Sequence, residues 1–412
     1  MNKEFLNMIK LFSYGATGIE KDIPYDFDFE KVMYYANEQG VWQIVFYAIE
    51  QLKKHEKINI DEGFFEFTKM QFIVACLKNS ERLSFSHKVI EELNKNGVEN
   101  CVIKGESLSM LYHKPECRVS GDVDLYIGNS NEAKACEILN NHGFVIEQKS
   151  DDANHYNCMH PTYGELELHT TLYYKIIQDV WFKNIDFVSE PFVKYEKFNT
   201  LGYTDGCINV ALHAINHFLA SGFGVRHIMD FMLYFNKNYD KIDTEKFVSI
   251  MKELKYYHFI EVITGIAVKY FGIENKLNAE YTDEEVEKVL LFIYTGGIFG
   301  HKQIHANTFE IYTNMRIGKN GKQNSEKIMQ KWRRKNVLKA LSFAPSKMYV
   351  HYPYCNKNKL LLPVAWCNHI GYIIKTAFKR RKLVADVIKY KTPEKNEAIE
   401  KKIELFRDLD MI

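Results

Sequence analysis

Two short segments carry side chains able to do chemistry. The first is Val119-Ser120-Gly121-Asp122-Val123-Asp124-Leu125-Tyr126-Ile127, in which polar and apolar residues alternate from Asp122 onward. Successive side chains of a strand point to opposite faces, so Asp122 and Asp124 share one face while Val123 and Leu125 turn to a core. Two carboxylates held side by side repel each other and must give up water together, a cost that a cation relieves. Hard oxygen donors favour Mg²⁺ or Mn²⁺ over zinc. The second segment, Glu165-Leu166-Glu167-Leu168-His169, repeats the alternation, with Glu165, Glu167 and His169 on one face. Laid beside the first strand, it supplies the third carboxylate of a site for two divalent ions. Such a cluster activates an attacking hydroxyl and stabilises a pyrophosphate leaving group in an in-line phosphoryl transfer. Glu167 is the expected third ligand and Glu165 its rival. A lone D-x-D pair is equally at home on a solvated strand edge, so the surrounding elements decide.

Those elements read as a small mixed-sheet core between two helical regions, an α+β architecture. Phe5, Met8, Ile9 and Phe12 recur at helical spacing, as do Val41, Ile44, Val45 and Ala48,. Phe85, Val89 and Leu93 predict another helix, stopped by Gly97. Val98–Ile103 is a short apolar segment leading into Lys104-Gly105 and a helix-like stretch through Tyr112. After the Asp122–Ile127 strand, Ser130 is placed to cap a helix carrying Ala135, Ile138 and Leu139, with Gly143 at its end. Strands are expected at Phe144–Gln148 and Leu166–Thr170. The expected division is a helical region over 1–81, the core over 82–190 and a mainly helical region over 191–412.

Bulk properties exclude more than they suggest. The 412 residues are 46% hydrophobic and 26% charged, with 54 Lys and Arg against 53 Asp and Glu, so any electrostatic partner must be sought locally. The eight cysteines contain no C-x-x-C pair, which argues against a zinc ribbon, a redox dithiol or a disulfide framework. The N-terminal residues do not read as a secretory signal, and no uncharged apolar run is long enough to span a bilayer. A cytoplasmic, non-membrane protein is expected.

The run Ile103-Lys104-Gly105-Glu106-Ser107-Leu108, then Tyr112, Arg118 and Gly121-Asp122-Val123-Asp124-Leu125, with Glu167-Leu168-His169 beyond, resembles a bacterial family of uncharacterised nucleotidyltransferases within the DNA-polymerase-β-like superfamily. Leu212-His213, His217, Arg226 and Asp230 continue the pattern. The resemblance implies a nucleotidyltransferase core. It implies Asp122 and Asp124 on two Mg²⁺ or Mn²⁺ ions, Glu167 on the catalytic ion and near the acceptor hydroxyl, and Lys104, Gly105, Ser107, Arg118, His169 and Arg226 around the nucleotide. Gly105 would let backbone approach the triphosphate, and Ser107 would bond a β or γ phosphate. The implied reaction moves a nucleoside monophosphate from an NTP, such as ATP, to a hydroxyl of a small molecule, a protein or RNA. Lys104-Gly105-Glu106-Ser107 stands where a Gly-Gly or Gly-Ser pair is usual, which motivates an alternative: a catalytically degenerate nucleotide-binding module of the same fold.

Three further features stand outside that motif. His213 and His217 are one helical turn apart, as zinc ligands often are, yet no H-E-x-x-H glutamate accompanies them; with Asp230 they suggest a metal phosphohydrolase. Arg226 and Asp230 are also a turn apart, placed either as a local ion pair or with Arg226 free for a phosphate. Between Arg316 and Lys339, nine basic residues face one acidic residue, Glu326, a solvated face or a contact for RNA or another polyanion.

Overall fold

The computed structural model describes residues 1–128, 131–147, 154–173, 185–219, 222–297, 312, 354, 361, 363–368 and 393–412. Four helices open the chain: α1 (Lys3–Thr17), α2 (Phe29–Glu38), α3 (Trp42–Lys54) and α4 (Glu62–Lys95). Asn2, Asp28 and Asp61 cap α1, α2 and α4 by accepting first-turn backbone N–H groups,. The helix expected from Phe85, Val89 and Leu93 begins much earlier, since α4 runs unbroken for 34 residues across the expected boundary at 81. Neither glycine nor proline interrupts it between Phe64 and Asn96, and Gly97, at φ +71°, ends it as the sequence suggests,. Its two halves bury different faces, Phe65 in the first and Val89, Ile90 and Leu93 in the second. That change of face breaks the single periodicity from which one helix is read.

The second half of α4 packs on a five-stranded sheet of β1 (Cys101–Val102), β2 (Asp122–Tyr126), β3 (Val145–Ile146), β4 (His155–His160) and β5 (Gly164–His169). The spatial order is β1-β2-β5-β4-β3, with β2 and β5 parallel and every other pair antiparallel. Short helix α5 (Glu106–Ser109) lies between β1 and β2, and α6 (Glu132–Asn141) between β2 and β3. Val123, Leu125, Leu166 and Leu168 all enter the core shared with α4 and α6, so the alternation in β2 and β5 points their acidic residues to the opposite face. β4 was not foreseen. Its residues, His155 to His160, are mostly polar, yet it lies inside the sheet, with only Cys158 fully committed to the core.

A ribbon of β6 (Val193–Lys194) and β7 (Asn199–Thr200) leads to α7 (Tyr203–Leu219), α8 (Val225–Lys237), α9 (Thr244–Glu253), α10 (Tyr257–Ile266) and α11 (Asp283–Gly296). Thr282 and Glu285 close a reciprocal capping box at α11,. Two compact units result, Met1–Lys302 with Asp408–Met411, and Gln303–Arg407 with Ile412; most of α12 (Pro393–Asp408) belongs to the second. The architecture is α+β. The described cysteines are all free, and no helix among the described residues is long and apolar enough to cross a membrane.

Candidate active site

The parallel register of β2 and β5 sets Asp122 beside Glu165 and Asp124 beside Glu167. One ligand oxygen from each of Asp122, Asp124 and Glu167 lies within 4.8 Å of the others. Asp124 sits deepest, 2% exposed. Lys104 Nζ stands 2.6 Å from its Oδ1, and His169 Nε2 stands 3.2 Å from the same oxygen and 3.1 Å from Glu167 Oε2. Asp122 accepts a hydrogen bond from the Ser120 hydroxyl at 3.2 Å. From β4, the ring of His155 packs against His169 with centroids 5.0 Å apart and reaches within 3.7 Å of Glu167 Oε1.

These contacts sort the carboxylates by charge. Burial opposes ionisation of Asp124, but Lys104 and His169 overcome it and hold the carboxyl below its usual range,. Asp122 lacks a comparable partner; burial, then the charge of Asp124, pushes it up. Burial and the neighbouring Glu167 likewise push Glu165 up. Burial disfavours the charge on Lys104 and His169, yet the adjacent carboxylates prevail and raise both. The cluster is thus an acidic pocket partly neutralised from within. Its oxygen-only carboxylate set suits a hard divalent cation, and the repulsion that raises Asp122 is the kind a bound cation removes.

The loop carrying Lys104 is tied down on both sides. Ile103 N–H donates to the Asp124 carbonyl at 3.1 Å, which extends the pairing of β1 and β2. Gly105 follows with φ +62° and ψ −105°, a region side chains rarely enter. A Cβ there would meet only ordinary contacts, the nearest Ser120 Oγ at 3.5 Å, so backbone conformation rather than crowding calls for glycine. Ser107 donates to the Lys104 carbonyl at 3.3 Å, which engages its hydroxyl within the turn.

Arg118, expected around the nucleotide, is engaged by the protein itself. It is 6% exposed, and its Nε and Nη2 each donate at 2.7 Å to Asp230, one to each carboxylate oxygen. Nη1 donates to the Gly105 carbonyl at 3.0 Å, and Tyr112 OH adds a third bond to Asp230 at 2.7 Å. The arginine therefore clamps the Gly105 turn to α8. The Arg226–Asp230 pair read from helical spacing does not form. Arg226 Nη1 lies 3.5 Å from the Val119 carbonyl, and its buried Nε has no partner among the described residues.

His213 and His217 on α7 meet His227 on α8, a residue the sequence reading did not single out, with one ring nitrogen of each within 4.8 Å of the others. Burial drives the pKa of His213 and His227 well below the ordinary value and that of His217 down to about 4; Lys104 deepens the shift of His213 and His217. Gly224 N–H donates to His227 Nδ1 at 3.2 Å, which leaves the proton of the neutral ring on Nε2. Asp230, having both oxygens on Arg118, is not available to this cluster, and the phosphohydrolase reading loses its carboxylate. The Arg316–Lys339 basic segment lies outside the described residues, as does Ser130.

Only a strand adjacency can turn D-x-D and E-x-E into one site, and the parallel β2–β5 pair supplies it. The pairing of Arg118 with Asp230 and the position of His155 lacked any local signal, because the first joins residues more than a hundred positions apart and the second lies on a strand without apolar alternation. A mixed sheet with an acidic face, framed by helices, places the chain in the class of nucleotidyltransferase-like α+β proteins. A family model described as uncharacterised nucleotidyltransferase matches residues 25–272, more than half of the chain, and the chain belongs to that family. Searches of curated proteins and of solved structures each returned no match.

Proposed function

We propose that the chain is a metal-dependent nucleotidyltransferase of the DNA-polymerase-β-like superfamily, moving a nucleoside monophosphate from an NTP to a hydroxyl acceptor. The observation that carries this reading is the convergence of Asp122, Asp124 and Glu167 within 4.8 Å across the parallel strand pair. Those three residues would hold two Mg²⁺ or Mn²⁺ ions, which when bound lower the pKa of an attacking hydroxyl and neutralise charge on the leaving group. Glu167, one-fifth exposed beside the buried Asp124, is placed to accept the acceptor's proton. Lys104 and His169 restrain Asp124 and offer donors to phosphate oxygens. Arg226, with its unpartnered nitrogen, is the arginine best placed to turn toward a phosphate. Arg118 acts through the Gly105 turn as a positioning residue.

The test is pyrophosphate release from each labelled NTP with Mg²⁺ or Mn²⁺. Asp122→Ala and Asp124→Ala are expected to lose at least about a hundredfold, some 3 kcal/mol of barrier. Glu167→Gln should match them and Glu165→Gln should stay within about threefold of the unaltered protein; the reverse ranking would transfer the third-ligand role to Glu165. One contact favours a second reading, a nucleotide-binding module without turnover: Lys104 already neutralises Asp124 at 2.6 Å. Tight NTP binding with no pyrophosphate under any divalent ion would establish that reading and end the first.

A further inference from the structure

One side of α4 faces solvent with an apolar stripe. Phe65, Thr68 and Asn79 of this helix are buried, whereas Phe67, Met70, Val74 and Leu77 are 59%, 62%, 45% and 59% exposed. Ile73, beside them, is 42% exposed. The seam positions advance by three, four and three residues, the repeat with which two helices pair along a shared stripe. Between Phe67 and Leu77 the one charged residue is Lys69, partly exposed and paired with Glu50 at 3.3 Å, and Glu66 and Lys78 begin the rim beyond. A hollow of about 380 Å³ opens on this face among Met70, Gln71, Val74, Ala75 and Lys78. A folded chain seldom leaves such a continuous stripe in water without a partner for it.

We propose that the stripe is the contact between two copies of this chain, α4 lying antiparallel on α4 about a two-fold axis level with Phe72. The stripe is its own complement under that operation. Phe67 of one copy faces Leu77 of the other, and Met70 faces Val74, each with its symmetric repeat. Ile73 meets Ile73 on one flank, and Gln71 meets Gln71 on the other, where two carboxamides can exchange hydrogen bonds. The axis also resolves the charge that follows the stripe. Glu81 continues the seam one turn beyond Leu77; parallel pairing would stack it on its own copy, whereas the antiparallel register sets it opposite Gly63. The stripe and its flanks would remove roughly 1,000 Å² in total from water, the lower bound for a specific interface. A reversible dimer is the outcome that area supports.

Sedimentation of the full chain across the micromolar range tests the assignment. The unaltered protein is expected to pass from monomer to dimer with concentration. Met70→Glu and Val74→Glu, both at exposed positions and so neutral to folding by circular dichroism, should each weaken association at least a hundredfold. Orientation is read with Cys76, Cys355 and Cys367 replaced by serine, by mild oxidation: Phe67→Cys chains mixed with Leu77→Cys chains should form the mixed disulfide, and Phe67→Cys chains alone should not cross-link. A monomer at every concentration overturns the proposal, as does a dimer that survives Met70→Glu. A monomer whose Met70 is shielded in hydroxyl-radical footprinting also overturns it, because a segment of the same chain then covers the stripe.

Discussion

Arg118 and Asp230 form a buried, two-pronged ion pair to which Tyr112 and the Gly105 carbonyl are added. Removing one member leaves the other charge uncompensated in a low-dielectric interior. Arg118→Met and Asp230→Asn are each expected to lower unfolding free energy by about 3–5 kcal/mol in denaturant titrations, while the double variant should recover part of that loss. The histidines give a pH signature of opposite origin. His217 titrates near 4 when folded, against an ordinary 6.5. Above pH 6.5 the ring is neutral in both states and contributes no pH dependence; as pH falls below that, the unfolded chain takes up a proton the folded one refuses. Stability should therefore fall between about pH 6.5 and pH 4, by up to roughly 1.4 kcal/mol per pH unit for this residue. His217→Asn should flatten the slope of unfolding free energy against pH in that window; an unchanged slope would assign the titration elsewhere.

At the scale of elements, the site is a question of which strands lie side by side. Strand alternation made the acidic face of β2 and β5 legible, since Val123, Leu125, Leu166 and Leu168 announce the core side. It could not announce that β5 runs parallel beside β2, because that pairing joins segments separated by α6, β3 and β4. β4 escaped notice for a related reason: flanked by strands on both sides, it is held by its ladders rather than by an apolar pattern,. Glycine at 105 was legible as a turn, but the reason for it emerges only from φ +62° and ψ −105°. Gly105→Ala is expected to cost about 1–3 kcal/mol through backbone strain alone. It should also shift Lys104 away from Asp124, which a lowered apparent affinity for Mn²⁺-NTP in equilibrium binding would report.

The whole molecule places the acidic pocket within the unit that spans Met1–Lys302, and a ligand that binds only the folded form must stabilise that unit by mass action. Mn²⁺ at about a hundred times its dissociation constant should add about 2.7 kcal/mol and raise the thermal midpoint; Asp124→Asn should abolish the increment measured against its own midpoint in chelator, a midpoint that itself falls because Lys104 loses its buried counter-charge,. The 34-residue α4 joins the helical opening of the chain to the sheet. The expected boundary near residue 81 therefore falls inside a continuous helix, where composition alone offers no mark.

Lys104 lends the pocket one more property. Because an ammonium already sits on its most buried acid, an ion arriving alone must contend with a resident cation. On the proposed reaction, the ion would be better received as escort to a polyphosphate, whose oxygens would take Lys104 as a counter-charge while freeing Asp124. Calorimetry should then find feeble uptake of Mg²⁺ by itself and markedly tighter uptake once a non-hydrolysable triphosphate is present, so that loading and substrate arrival become a single event.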